Sequence, residues 1–238
     1  MADASRPKNA AVAAVPATLY IIAAPSGAGK TSLVKAVVDA TPGLMVSVSH
    51  TTRPIRPGEQ QDVHYHFVDQ TIFQSMITAG VFLEHAKVFD NYYGTSVAAV
   101  QHKLHQGVDV ILEIDWQGAS QVKSQIPDCI GIFILPPSRA TLDQRLRARG
   151  QDGEDVIARR MRDAVNEMSH YADFEYLVVN DDFDTARKDM QAIIRTRRLG
   201  IKAQAVRLQA LLNQLLKKIG KYLCHRPHVH MGTSINPI

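Results

Sequence analysis

An apolar run, Leu19-Tyr20-Ile21-Ile22, leads into Ala24-Pro25-Ser26-Gly27-Ala28-Gly29-Lys30-Thr31, after which Leu33, Val34, Val37 and Val38 recur at helical spacing. Strand, glycine-bearing turn and helix in that order are the opening of an α/β fold, in which a buried strand feeds a helix that packs back on its sheet. The turn itself suits a phosphate. Small residues let backbone N–H groups close around phosphate oxygens, and the helix N-terminus adds partial positive charge. Lys30 is placed to reach β- and γ-phosphates, and the Thr31 hydroxyl to meet Mg²⁺. Ser26, Gly27, Ala28, Gly29, Lys30, Thr31 and Ser32 are therefore candidate contacts for a nucleoside triphosphate. Ala24 stands where the full pattern has glycine; its methyl group is harmless at negative φ and costs about 1 kcal/mol at positive φ.

The remaining composition narrows the partner. The chain has 238 residues, 45% hydrophobic and 21% charged, which excludes collagen-like, low-complexity and disulfide-scaffold classes. Lys plus Arg number 27 against 23 acidic residues, a net charge of +4 that calls for no nucleic-acid partner and suits polyanionic small molecules. Two distant cysteines, Cys129 and Cys224, fit a reducing compartment, and a cytoplasmic protein is expected. Arg6 and Lys8 precede an alanine-rich stretch that loosely imitates a secretory signal, but cleavage there would destroy the phosphate loop. No stretch of about 18 apolar residues calls for a membrane.

Strand-like runs at Val108–Ile114, Ile130–Leu135 and Tyr176–Val179 alternate with helical segments, which predicts a parallel sheet covered by helices on its two faces. Between Val46 and Val97 the texture changes to short polar–apolar alternations, at Val46-Ser47-Val48-Ser49 and Val63–Phe67, with a helix between Asp69 as N-cap and Gly80. This segment reads as a small β-rich insertion. It carries Arg53 and Arg56, three apart and stiffened by Pro54 and Pro57, as a phosphate monoester held by paired guanidinium groups would require.

At these residues the sequence resembles the guanylate kinase family. The likeness rests on Ser49-x-Thr51-Thr52-Arg53-x-x-Arg56-x-Gly58-Glu59, Tyr65-x-Phe67, Phe82-Leu83-Glu84 and Asn91-Tyr92-Tyr93-Gly94-Thr95. It continues through Leu112-Glu113-Ile114-Asp115-Trp116-Gln117-Gly118, the Arg145–Gly150 segment and Val178-Val179-Asn180-Asp181. The resemblance implies that Arg53, Arg56, Tyr65 and Tyr93 hold the phosphate of GMP, with Ser49, Glu84, Gly94 and Thr95 around the base. Glu84 has an independent rationale: a carboxylate accepts from guanine N1–H and N2–H₂ together, whereas adenine presents an acceptor at N1. Asp115 and Glu113, at a strand's carboxyl end, anchor either the Mg²⁺ water shell, alongside Thr31, or Arg53; sequence does not divide the task between them. Trp116 is assigned to packing.

The resemblance also implies a lid whose Arg145, Arg149 and Arg160 close on the triphosphate beside Lys30 and Arg53, with Asn180 near the adenine. The expected architecture has a core of 18–46, 98–138 and 173–199, a GMP subdomain of 47–97 and a lid of 139–172. A C-terminal helix of 200–222 and tails of 1–17 and 223–238, the first of them flexible, complete it. The implied activity is ATP + GMP ⇌ ADP + GDP with Mg²⁺, in a monomer or homodimer. Two other readings are weighed against it. A phosphopeptide-binding scaffold of the same shape can dispense with Lys30 and the lid arginines, which are retained here, and a kinase with a sugar-phosphate acceptor has no use for Glu84 and the tyrosines. Cys224, His225, His228 and His230 crowd too closely for a closed zinc site and read as a His-rich tail.

Overall fold

The computed structural model describes residues 16–88, 90–148 and 153–217. The N-terminal segment up to Val15 and the His-rich tail with Cys224 lie outside them. The first strand, β1 (Leu19–Ala23), leads through the phosphate loop into α1 (Lys30–Asp39). It lies at the centre of a five-stranded sheet with β2 (Leu44–Val46), β7 (Asp109–Glu113), β8 (Ile130–Leu135) and β9 (Tyr176–Val179). The order is β2-β7-β1-β8-β9, and every pairing is parallel.

Side chains alternate across β1, which splits the core in two. Tyr20 and Ile22 face Leu33, Val34 and Val37 of α1 together with Ala186, Met190 and Ile194 of α7 (Phe183–Arg198). Leu19 and Ile21 face the opposite layer, where α3 (Val97–His105) contributes Val100 and α4 (Trp116–Gln125) contributes Ala119 and Val122. Both faces are apolar because both are covered, as the near-continuous hydrophobic runs demanded.

The segment between β2 and α3 forms a second sheet from β3 (His50–Thr51), β4 (His66–Phe67), β5 (Phe82–Val88) and β6 (Asn91–Ser96), in the order β4-β3-β6-β5. Helix α2 (Gln70–Thr78) packs Phe73 beneath it, and Asp69 caps that helix by accepting from Ile72 N at 2.8 Å. The outer edge of β5 is covered by two glutamines of α4. Gln121 accepts from His85 N and donates to His85 O, at 3.1 and 2.9 Å, and Gln125 donates to Leu83 O at 2.7 Å. The remaining helices are α5 (Arg139–Ala148) and α6 (Glu154–Ser169), which share the small core of Leu142, Leu146, Ile157 and Ala164, and the terminal α8 (Ile201–Arg207) and α9 (Gln209–Leu215).

Three details differ from the sequence reading. The Val46–Ser49 alternation supplies only the end of β2, which joins the core sheet, and Val63–Phe67 supplies only the two residues of β4 because a turn with Asp62 at φ 64° precedes it. The helix expected from Gly200 onward breaks at Leu208. Neither α8 nor α9 buries a residue, so no packed face enforces one straight rod. Among the described residues no helix is long and apolar enough to cross a membrane.

Candidate active site

Parallel topology brings the carboxyl ends of β1, β7 and β9 to one edge, and the chemistry-bearing residues follow those ends. Gly27 and Gly29 take φ of 93° and 89°, conformations that glycine adopts without strain, and Gly29 caps α1 with no side chain in the way. Ala24 is not among the positive-φ residues, so its methyl group is accommodated. Lys30 Nζ donates to Ile114 O at 3.3 Å, just beyond β7, and Thr31 Oγ1 donates to Glu113 Oε2 at 3.2 Å.

The loop is braced from three sides. An added Cβ on Gly27 would meet Leu142 and Leu146 of α5 at 3.0–3.1 Å. Asn180 Nδ2 donates to Ala28 O at 2.8 Å, and Arg145 donates to Ala28 O and Asn180 O at 3.4 and 3.1 Å. Asn180 is thus buried, with its amide bonded to the loop backbone. From α6, Glu167 Oε2 accepts from Ser26 N at 3.2 Å.

Across the same cavity, of ≈ 280 Å³, lies the second sheet. Register sets Glu84 of β5 opposite Thr95 of β6, and Thr95 Oγ1 donates to Glu84 Oε1 at 2.5 Å; Ser49 Oγ lies 3.2 Å from the same hydroxyl. Glu84 is 3% exposed. Gly118 permits this arrangement, since a Cβ there would fall 2.6 Å from Glu84 Oε2. Gly94 allows β6 to pass the Phe82 ring, which an added Cβ would meet at 2.9 Å.

The adjoining hollow is lined by Arg53, Arg56, Tyr65 and Tyr93. Arg53 is buried. Its guanidinium pairs in bidentate fashion with Glu59, at 2.7 and 3.0 Å, and lies 5.5 Å from the Tyr65 ring centroid. The Arg53 bonds hold the Glu59 carboxyl below its usual range. Sequence reasoning proposed Asp115 or Glu113 as the anchor of Arg53; Glu59, three residues after Arg56 in a tight turn, takes that part instead. Asp115 caps α4 by accepting from Gly118 N at 2.9 Å while still lining the central cavity, and Glu113 is the acid beside Thr31. Trp116 packs, as expected, stacked on His170.

Arg56 is exposed on the rim, Ser32 lines the cavity mouth, and Arg160 is carried by α6. Arg149 lies outside the described residues. Glu59 and Glu167 were missed as site residues. Glu59 carried a signal, its closeness to two arginines, while Glu167 carried none, being an ordinary helix acid 141 residues from its partner.

Burial pushes the Glu84 and Glu167 carboxyls up to about 7, in each case against a hydrogen bond that favours the ionised form. The folded chain therefore holds these protons well above pH 4.5, and their contribution to stability is complete below that value and lost as pH rises through 7. For Glu84 the shift is worth about 3 kcal/mol. His50, lowered by burial, acts in the opposite sense, so the measurement must be differential. Relative to the native chain, Glu84→Gln gains thermal stability steadily from pH 5 to pH 8; a constant difference in melting temperature would contradict the burial argument.

A guanylate kinase family model matches residues 16–197. A guanylate kinase of Nitrosococcus oceani is 58% identical over 200 residues, covering 84% of this chain and 98% of that relative. One from Escherichia coli strain K12 is 57% identical over 201 residues, 84% of this chain and 97% of the relative. The crystal structure of guanylate kinase from Anaplasma phagocytophilum superposes with a TM-score of 0.67 at 29% identity, over 84% of this chain and 95% of that one.

Proposed function

This chain belongs to the guanylate kinase family, whose reaction is the ATP-dependent phosphorylation of GMP to GDP, and we propose that it performs that reaction with two anion sites of its own, one for each nucleotide. The observation that carries this reading is the buried Glu84–Thr95 pair with Ser49, which shares one cavity with Lys30 and the phosphate loop.

Backbone N–H groups from Gly27 to Thr31 and the start of α1 bind the donor phosphates, and Lys30 neutralises the β- and γ-oxygens. Arg53, fixed by Glu59, receives the GMP phosphate with Tyr65, Tyr93 and Arg56. Burial raises the Tyr65 phenol, which stays a hydrogen-bond donor at neutral pH. Glu84 accepts from guanine N1–H and N2–H₂, with Thr95 and Ser49 completing the base pocket.

The Thr31 hydroxyl and Glu113 carboxylate, already in contact at 3.2 Å, form a hard oxygen pair that fits Mg²⁺ held largely through water and phosphate. Asp115 is the acid nearest Glu113 in sequence along the cavity wall, and its helix cap leaves it a water-mediated part at most. When bound, the ion screens charge on the transferring phosphoryl group.

An oxygen of the GMP phosphate attacks the γ-phosphorus as the bond to the β–γ bridging oxygen breaks, and that oxygen leaves with ADP. No general base is needed, because the acceptor phosphate is already largely ionised at pH 7. Arg145, held at the loop, Arg160 on α6 and Arg149 by its place in the motif supply positive charge to the equatorial oxygens. Closure of the 47–97 sheet and the 139–172 lid excludes water that would otherwise hydrolyse ATP.

Turnover measured with ATP and, in turn, GMP, AMP and a sugar phosphate tests the reading. GMP is expected to exceed AMP by about 10⁴-fold in kcat/KM, the scale on which a site of buried hydrogen bonds rejects the wrong partner. Equal use of AMP, or no use of GMP, would refute it.

A further inference from the structure

Glu167 is a half-buried acid that the scheme above leaves unused, and its position is physically unfavourable. It occupies the last turn of α6, where the helix carries partial negative charge and a carboxylate is disfavoured. It is also half-buried, and it lines the cavity that a polyphosphate must enter. Against these penalties stands the hydrogen bond from Ser26 N, which joins α6 to the phosphate loop.

The same end of α6 is seated on the core a second time. His170, its C-cap, stacks on Trp116 at the start of α4, with ring centroids 3.7 Å apart and planes 6° from parallel. Arg160 precedes Glu167 by seven residues, close to two full turns, and so shares its face of the helix. An adjustment at Glu167 is therefore transmitted along a stiff rod to Arg160.

We propose that Glu167 is a positioning residue: by accepting the Ser26 N–H it sets the pitch of α6 over the phosphate loop, so that the helix face bearing Arg160 is presented to the transferring phosphoryl group. This rests on the reading of the cavity as the site of GMP phosphorylation. Ser26 belongs to the donor side, so the tie governs alignment of the lid with ATP and leaves capture of GMP to the other sheet.

The test compares Glu167→Ala, which removes the acceptor, with Glu167→Gln, which keeps a side-chain carbonyl but no charge. Turnover of GMP by the native chain is established first; its failure would dismiss the family reading and not this proposal alone. The alanine variant is expected to lose about 10- to 100-fold in kcat, the scale of an ångström-sized misplacement, with KM for GMP within about twofold. The glutamine variant should recover kcat to within about threefold of native, because the hydrogen bond and not the charge is what matters. Trp116 is the one tryptophan of the sequence, so its fluorescence reads the seating of α6 without turnover. Its emission should shift in the alanine variant and stay native with glutamine.

Should the alanine variant fail to fold, Glu167→Asp, which withdraws the acceptor by one methylene, is expected to lose kcat with a native melting temperature. A folded alanine or aspartate variant with native kcat would overturn the proposal. So would a glutamine variant as impaired as alanine, or a rise in KM for GMP matching the fall in kcat.

Discussion

Lys30→Ala is expected to lower turnover by about 10³-fold or more while leaving GMP affinity within about twofold of native. The ammonium group rests against the Ile114 carbonyl, a neutral acceptor that it can exchange for a phosphate oxygen without losing a buried ion pair. Its removal takes away a positive charge in a site with Glu84, Glu113, Asp115 and Glu167 on its walls, so the donor phosphates would face carboxylates without that cation. The GMP phosphate site is held separately, since Tyr93 lies on β6 of the other sheet, Arg53 and Tyr65 flank its β3 and β4, and Arg53 has its own counter-ion in Glu59. Single-turnover kinetics and calorimetric GMP titration separate the two effects. Near-native turnover would remove the loop from the mechanism.

Glu84→Gln should do more than weaken GMP binding; it should redirect it. A glutamine amide offers one acceptor and one donor side by side, which matches the N6–H and N1 of adenine and mismatches the paired donors of guanine. KM for GMP is expected to rise about 10²-fold, and preference for GMP over AMP to collapse by more than that. The pH dependence gives a second signature. Guanine requires the ionised carboxylate, so GMP binding displaces a proton from a group that titrates at about 7, and native affinity rises as pH increases through that value. In the glutamine variant the part of this dependence centred at about pH 7 disappears, and only the ionisation of the GMP phosphate, at about pH 6, remains. Base preference left unchanged by the substitution would exclude Glu84 as the reader.

What the sequence revealed follows the range of the interactions involved. Ile130–Leu135 and Tyr176–Val179 are strands with the bounds their apolar runs suggested, and Asp69 caps the helix it was expected to cap. These features are local: burial of a short run, or one side chain reaching three residues along. The phosphate loop was legible because its strand, glycines and helix are contiguous. The residues that hold the site in place were harder to find. Nothing in the neighbourhood of Asn180 reveals that its amide would reach Ala28, 152 residues earlier. Arg53 was recognisable as a phosphate ligand, but its counter-ion depended on a turn bringing Glu59 back to it. The division between Glu113 and Asp115 rests on where β7 ends: Glu113 is its last residue and meets Thr31, whereas Asp115 has already left the strand to cap α4, and the sequence does not disclose that boundary.

The glutamine pair on α4 has a consequence for the behaviour of this chain at high concentration. A bare sheet margin is a template on which foreign strands grow. Gln121 and Gln125 satisfy main-chain groups along β5 much as a neighbouring strand would, and the opposite margin, β4, is only two residues long. Polymerisation through this small sheet is thereby obstructed at both ends, and a protein that must leave a cleft open for its substrates can do so without inviting amyloid-like stacking.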